Sequence, residues 1–164
     1  MAFDAYLQIE GKKIGESTSK GFEGAMEIYS FSFGASNPVT IGSGSTGIGA
    51  GKVSISSFNL MKKSDKASPE LFHYCASGEH LPKAKVTLRK AAGKEQVNFL
   101  VYDFEKCMIE SIQWSGSSGG DDAPTESVSM AFGKVTITYT QQDATGKAAS
   151  PVVQSWDVTT NKGA

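Results

Sequence analysis

The residues able to perform chemistry are few, and their spacing fits no common catalytic or metal-binding pattern. The chain has two histidines, His73 and His80, and two cysteines, Cys75 and Cys107. The histidines match neither an i,i+4 pair nor a zinc spacing. A cysteine nucleophile needs a histidine beside it, whereas Cys75 lies on the apolar stripe of a predicted helix and Cys107 in a predicted strand. We predict two reduced, buried and unreactive cysteines, no metal ion and no catalytic residue.

Two short segments match cofactor or ion-site residues in sequence but lack the context that such sites require. Residues 42–47 match the G-x-G-x-x-G pattern of dinucleotide-binding loops. Such a loop has to leave a buried strand and open a helix, but the glycines in residues 48–51 cannot begin one. Asp121 and Asp122 lack the ligand spacing of a calcium loop. We therefore predict no nucleotide, other cofactor or calcium ion in either segment.

Composition and charge indicate one globular domain spanning residues 1–164. Hydrophobic residues make up 39% of the chain, and 16 basic against 17 acidic residues give a net charge of −1. This balance gives no electrostatic reason to expect nucleic acid or an anionic membrane as a partner. The N-terminus has no basic stretch followed by an apolar run, and no apolar window is long enough to cross a membrane. We expect synthesis in the cytoplasm without a signal peptide, and no membrane insertion.

Alternation of apolar and polar residues predicts a mainly β chain with one short helix. Turn residues separate the predicted strands at the spacing typical of barrels and sandwiches. The residues alone therefore predict a small β-barrel with the helix packed on its sheets. The predicted strands cover residues 3–9, 26–33, 53–62, 84–90, 96–104, 107–114, 125–140 and 152–158.

The segment 125–140 is the longest predicted strand, and we expect the other strands to pair around it. Apolar residues alternate from Val128 to Phe132 and then continue from Val135 with the opposite parity, with Gly133 at the change. A change of parity indicates either a β-bulge or a strand that passes from one sheet into another. Glycine suits both, because it tolerates unusual backbone angles and close backbone approach.

The helix is predicted from its end signals. Ser68 is a good N-cap, Pro69 fits the first helical position, and Gly78 is placed to end the helix. A helix of about three turns is too short to be stable alone and must pack on the sheets. The predicted apolar stripe comprises Leu71, Phe72 and Cys75.

Ordered blocks of sequence extend over essentially the whole chain. They include Tyr-Ser-Phe-Ser-Phe-Gly at residues 29–34 and Asp-Lys-Ala-Ser-Pro-Glu-Leu-Phe at residues 65–72. The other blocks are residues 15–17, 78–80, 84–90 and 125–128, the strand with Tyr139, and residues 156–157. In this order the chain closely resembles the haemolysin-coregulated protein family, Hcp, of bacterial type VI secretion systems.

The resemblance implies a structural role in secretion rather than catalysis. Members of the family are similar to phage tail-tube proteins, so the resemblance implies a small antiparallel β-barrel of two sheets with one short flanking helix. They form six-membered rings that stack into a tube, inside a contractile sheath and beneath a spike. The tube is expelled without a signal peptide, to the extracellular space or a target cell, and some members hold effector proteins in the ring lumen. We therefore expect a secreted tube subunit whose partners are other copies, sheath, spike and effectors.

Two segments become candidate assembly sites under this resemblance. The glycine-rich arm, residues 35–52, lies where the family has its extended loop, and we expect it to join one ring to the next. The loop of residues 115–122 is small, polar and flexible, which makes it a candidate contact for cargo in the lumen. The arm residues of interest are Pro38, Val39, Ile41, Gly44, Ile48 and Gly51, and the loop residues are Ser117, Ser118, Gly119 and Gly120.

The residues alone leave two other functions open. A monomeric β-barrel that encloses a small ligand would have a roomy apolar interior, whereas a tube subunit would have a filled one. A thiol or metal enzyme would need histidine or carboxylate groups assembled beside a cysteine. Both alternatives can be tested in the structure.

Overall fold

The computed structural model describes residues 2–42, 48–92, 95–120 and 122–163. Within these residues the chain forms fourteen strands and one helix, which confirms the mainly β fold class with a single short helix. The elements are β1 Asp4–Ile9, β2 Met26–Ile28, β3 Ser30–Ser32, β4 Ala35–Ser36, β5 Val39–Ile41, β6 Ile48–Ala50, β7 Ser54–Ile55, β8 Phe58–Lys63, α1 Ser68–Ser77, β9 Leu81–Ala92, β10 Glu95–Ser115, β11 Thr125–Ala131, β12 Lys134–Tyr139, β13 Val152–Asp157 and β14 Lys162–Gly163.

The main strands form a large sheet and a small sheet, both antiparallel. The large sheet has the order β14-β13-β12-β10-β9-β1-β2. The small sheet has the order β10-β11-β8-β3. Among the described strands, β10 alone belongs to both sheets. Its first part, residues 95–107, pairs with β9, and its second part, residues 108–115, pairs with β11.

The predicted barrel is corrected to two packed sheets that share one strand. A barrel closes only where its edge strands pair with each other. In the described part of the chain, the large sheet ends at β2 and β14, and the small sheet ends at β3 and the second part of β10. No ladder between the described strands joins these edges.

Strand β10 is continuous where the sequence predicts two strands, at residues 96–104 and 107–114. Phe104 and Cys107 are both buried, so the alternation slips between them. Lys106 has a φ of 56° at this slip, a left-handed conformation that is uncommon for residues other than glycine. The resulting bend turns the strand from the large sheet into the small one. The apolar pattern shows the break in alternation, but it does not show that β10 continues through it.

The predicted strand 125–140 is two strands, and its parity change marks a passage between the sheets. β11 lies in the small sheet and β12 in the large one. Gly133 lies at the crossing, where its N–H donates to the Glu105 carbonyl at 2.9 Å and its carbonyl accepts the N–H of Val158 at 2.7 Å. The passage is therefore confirmed, but the central strand is β10. The predicted strand 26–33 crosses in the same way, as β2 and β3.

Side chains fill the space between the two sheets. Phe58 and Phe104 are fully buried, and their ring centroids lie 5.2 Å apart. Phe104 also packs against Phe132 at 4.7 Å. This filled interior is the one expected of a tube subunit rather than of a ligand-binding barrel. Further buried apolar residues are Leu7, Met26, Leu60, Leu71, Leu81, Val86, Val128 and Met130.

Helix α1 begins one residue earlier than predicted. Its N-cap is Ala67, which makes no side-chain cap. The Ser68 hydroxyl accepts the N–H of Asp65 at 2.9 Å, and an Asp65 carboxylate oxygen accepts the N–H of Ala67 at 2.9 Å. The preceding turn is therefore held by its own side chains. Gly78 ends the helix as predicted, with a φ of 68°.

The buried face of α1 also differs from the predicted stripe. Leu71 and Tyr74 are buried and Cys75 is half-buried, but Phe72 is 54% exposed. The prediction is wrong at Phe72 because the sheets contact the helix on one side only. No helix in the described residues has the length and apolar character needed to cross a membrane.

Candidate functional site

The glycine-rich arm is a two-stranded ribbon. β4 pairs with β7 and β5 pairs with β6, and the Gly51 N–H donates to the Pro38 carbonyl at 2.9 Å between these pairs. Strands β4, β5 and β6 lie outside the strands predicted from the sequence, because backbone pairing orders a segment that has little side-chain alternation. A Cβ at Gly51 would lie 2.6 Å from Pro38 Cγ, so this crossing point needs glycine.

Apolar side chains of the arm point into solvent. Val39 is 53% exposed and Ile41 is 78% exposed. Ile48 pairs with Ile41 along the ribbon, whereas Gly44 lies outside the described residues. Exposed apolar groups on a ribbon that has no core of its own are typical of a segment that packs on another molecule.

The arm prolongs β3 and β8 beyond one end of the small sheet. The Ser56 N–H donates to the Gly34 carbonyl at 2.9 Å, which continues the pairing from β3–β8 to β4–β7. We call this end of the small sheet, where Phe58 pairs with Met130, the arm end. A strand rises about 3.3 Å per residue, so β5 carries the arm well past the sheet.

The outer face of the small sheet carries mainly short, uncharged polar side chains, together with the charged residues Glu110 and Lys63. Two rows of neighbours cross its four strands. The Ser129 hydroxyl lies 2.7 Å from a Glu110 carboxylate oxygen and 2.8 Å from Asn59 Oδ1. Hydrogen bonds from the hydroxyls of Ser57 and Ser129 lower the pKa of Glu110. The rows are Ser32, Asn59, Ser129 and Ser111, and Ser30, Met61, Ser127 and Gln113.

The candidate cargo loop lies at the opposite end of the small sheet from the arm. It joins β10 to β11 where Lys63 pairs with Thr125, and we call this the loop end. The four predicted loop residues are exposed and form a turn with no side-chain packing around Gly119 or Gly120. The structure therefore leaves room for larger side chains at both glycines. The residues brought together there are Ser117, Ser118, Gly119 and Gly120.

A buried ion pair lies beneath the loop end, and the sequence analysis missed it. The Lys62 ammonium is 2.6 Å from a Glu126 carboxylate oxygen, and both side chains are fully buried. Lys62 also lies 2.9 Å from Asp65, which holds the turn before α1. The Trp114 indole N–H donates to the other Glu126 oxygen at 2.7 Å. This network ties three strands of the small sheet to the start of the helix.

The side chains that could act as nucleophiles or metal ligands are not assembled into a reactive site. Cys107 is fully buried, and burial raises the pKa of its thiol to about 11. Such a thiol stays protonated and is a poor nucleophile. Cys75 is half-buried rather than buried as predicted, and His73 is exposed. In the part of the chain that the structure describes, no three metal-ligating side chains come together.

One surface groove lies outside the core, on the outer face of the large sheet. It has a volume of about 880 Å³. Mixed charges line it, including Lys85 at 3.4 Å from Asp103 and Glu105, which lies 3.6 Å from Lys134. A charged, open groove is not the enclosed apolar cavity that a small-ligand barrel requires.

Comparison with known proteins decides the family. A family model described as the type VI secretion system effector Hcp matches residues 6–139. The chain belongs to the Hcp family. The resemblance of its sequence blocks is confirmed over most of its length. Hcp proteins are structural components of the type VI secretion tube and not a family of enzymes.

Named relatives and solved structures agree with this family. Hcp1 of Pseudomonas aeruginosa is 38% identical over 111 residues, which cover 67% of this chain and 68% of the relative. A solved structure of a type six secretion system protein is 34% identical, with a TM-score of 0.93 over 99% of this chain and 100% of the other. Hcp1 from Salmonella typhimurium is 29% identical, with a TM-score of 0.78 over the full length of both chains.

Proposed function

We propose that this chain is the subunit of a type VI secretion inner tube, which closes into rings of six that stack and are expelled. Membership of the Hcp family carries the proposal. The geometry of the small sheet, the exposed arm and the filled core support it. The chain acts by assembly rather than as an enzyme, and it forms a single domain. Its proposed further partners are contractile sheath, spike and effector proteins. The subunit is proposed to be secreted from the cell.

The small sheet can close a ring through its own edges. Its four strands alternate in direction, so β3 and β10 at its two edges run oppositely. Copies related by rotation about an axis along the strands would therefore meet as antiparallel neighbours, each edge supplying the other with hydrogen-bond partners. The large sheet has seven strands, so its edges run in the same direction and would meet in parallel. The small sheet is the better wall of a ring.

The outer face of the small sheet is suited to line a channel. Its rows consist of serine, asparagine, glutamine and Met61, and the charges beside them, Glu110 and Lys63, are of opposite sign. Such a face has little net charge, so proteins of either charge can pass. The outer face of the large sheet is instead charged, with the pairs Lys85–Asp103 and Lys134–Glu105. We therefore assign the small sheet to the lumen and the large sheet to the outside of the tube.

Rings of six are the direct test of this proposal. Purified protein should have a native mass six times its subunit mass of 17.3 kDa, because a strand-edge contact repeated around a ring is strong. Mass photometry across low micromolar concentrations, together with negative-stain images, would show closed rings. A monodisperse monomer throughout this range, or dissociation already at tens of micromolar, would contradict the proposal.

The candidate cargo loop gives a separate prediction. Replacing Gly119 and Gly120 with glutamine should impair effector export while rings still form, because larger side chains would crowd a contact made by a small polar turn. Ala144→Gln in another exposed loop is the matched control and should export normally. Effector in the culture supernatant and ring formation would be measured together. Normal export by the glycine variant would remove this loop from the cargo site.

A further inference from the structure

Two exposed aromatic rings lie in contact at the loop end of the small sheet. Trp114 is one residue before the end of β10, and its ring centroid lies 6.0 Å from that of Phe72 in α1. Trp114 is 40% exposed and Phe72 is 54% exposed. Among the described aromatic contacts, this is the one whose two rings are both at least 40% exposed. We call Trp114 and Phe72 the aromatic pair, and their own subunit leaves this apolar surface uncovered.

The aromatic pair is fixed in position and lies outside the proposed channel. The Trp114 indole N–H donates to Glu126, whose carboxylate is held by the buried Lys62 ammonium. Trp114 follows Gln113 of an outer-face row, and successive side chains of a strand alternate between the faces. The Trp114 ring is therefore directed away from the face that we assign to the lumen. Fixed aromatic side chains lose little entropy on binding and are enriched at the centres of protein interfaces.

Two other exposed apolar side chains at the loop end are less suited to bind a protein outside the channel. Tyr29 is 57% exposed, but the Lys63 ammonium lies 5.5 Å from the centroid of its ring. Met61 is 42% exposed and belongs to an outer-face row, so it is directed into the proposed lumen. The aromatic pair is therefore the apolar surface that a neighbouring ring can cover at this end.

The arm presents exposed apolar side chains beyond the opposite end of the same sheet. The Gly34 carbonyl, which accepts the Ser56 N–H, marks the base of the arm. A strand rises about 3.3 Å per residue, so Ile41 lies roughly 20 Å beyond Gly34. Val39 and Ile41 are both more than half exposed. Pairing of β5 with β6 orders the backbone of the ribbon in advance, so little further order is lost or gained when it binds.

We propose that Val39 and Ile41 in the arm of one ring pack against the aromatic pair of a subunit in the next ring. The inference rests on the proposed tube. In a ring closed by the small sheet, all arms leave one face of the ring and all loop ends lie on the other. Rings that stack head to tail through two unlike surfaces extend without limit. Such stacking brings the arms of each ring to the loop ends of the next.

The first experiment measures whether the arm covers the aromatic pair. In a Trp156→Phe background, Trp114 is the single tryptophan, and its emission should shift to shorter wavelength when rings stack into tubes. A variant with residues 37–53 replaced by an Asn-Gly turn should form rings without this shift, because those rings have no arm to cover Trp114. A shift in the armless rings would overturn the inference, since a neighbour in the same ring would then cover the indole.

The second experiment removes one member of the aromatic pair. Phe72→Ser should weaken the contact between rings by about tenfold or more, as loss of a buried interface aromatic does. Ring formation should be unchanged, because Phe72 lies outside the contact within a ring. His73→Ser, at the adjacent exposed position on α1, is the matched control and should stack like the parent. The fraction of protein sedimenting as tubes, measured over a concentration series, gives the strength of the contact.

The third experiment joins the two surfaces covalently. Ile41→Cys is combined with Phe72→Cys in a Cys75→Ala background. The two new thiols lie at opposite ends of the small sheet, too far apart for a disulfide within one subunit or within one ring. Oxidation should therefore link rings, and denatured samples should show a ladder that continues past six subunits. Either single cysteine should give dimers at most.

The outcomes separate this inference from the proposed tube subunit. Tubes that tolerate Phe72→Ser as well as His73→Ser would overturn the contact between arm and aromatic pair and leave the ring intact. Parent rings that stay single at every concentration, and give no ladder with the two cysteines, would also overturn it. A parent protein that forms no rings would overturn the proposed tube subunit, and this inference with it.

Discussion

Lys62→Met should lower the free energy of unfolding by about 3–5 kcal/mol, the usual loss when one partner of a buried ion pair is removed. Glu126 would be left fully buried, with the Trp114 indole N–H as its hydrogen-bond donor. Asp65 would lose the same ammonium group, so the turn before α1 would loosen as well. For a chain of this size each kcal/mol lowers the melting temperature by roughly 2–4 °C. Thermal unfolding at one fixed protein concentration measures the effect.

Lys85→Met is the matched control for this prediction. Lys85 pairs with Asp103 at 3.4 Å, but both side chains are largely exposed, and exposed pairs contribute about 0–1 kcal/mol. Its melting temperature should therefore stay close to that of the parent. The double variant Lys62→Met with Glu126→Leu should be more stable than Lys62→Met alone, since it removes the uncompensated charge. If Lys62→Met had the same melting temperature as the parent, the ion-pair network would contribute nothing to stability.

Removal of the arm should abolish stacking of rings but not the rings themselves. Ser36 and Ser54 are paired at the base of the arm, so residues 37–53 can be replaced by a two-residue Asn-Gly turn. The melting temperature should change little, because loop-closure entropy varies slowly with length and the arm has no buried apolar side chain among its described residues. Tube length in negative-stain images and secretion into the medium should both fall to background.

A variant of unchanged arm length tests the reason for this loss. Val39→Ser with Ile41→Ser keeps the ribbon but removes the two most exposed apolar groups described in it. Stacking should weaken here too, because burial of these side chains against the next ring would drive the contact. If removal of the arm also prevented ring formation, the arm would belong to the contact within a ring.

Elements with a clear local sequence pattern were predictable from the sequence. β1 and the helix stop at Gly78 were found because each depends on local pattern and local backbone geometry. The parity change near Gly133 was found for the same reason, and it marks the crossing that the structure confirms. The continuity of β10 was not predictable, because a bend at Lys106 hides it from any test of alternation.

The candidate sites were likewise predictable only where a local sequence signal marks them. The arm was found through its glycines and the family resemblance, but its pairing depends on backbone hydrogen bonds that side chains do not encode. The ion pair had a signal that was overlooked: Lys62 follows Phe58 and Leu60 at buried positions of β8, and Glu126 precedes Val128 in the same way. Charged residues in such positions predict a buried partner.

The sharing of β10 between the sheets has a mechanical consequence for the proposed tube. The wall of the channel and the outer layer of each subunit are parts of one polypeptide segment of 21 residues. A force applied to the outer layer during ejection is therefore transmitted to the channel wall through covalent bonds. Sliding of one layer over the other would have to break the ladders of β10 on both sides, rather than only separate packed side chains.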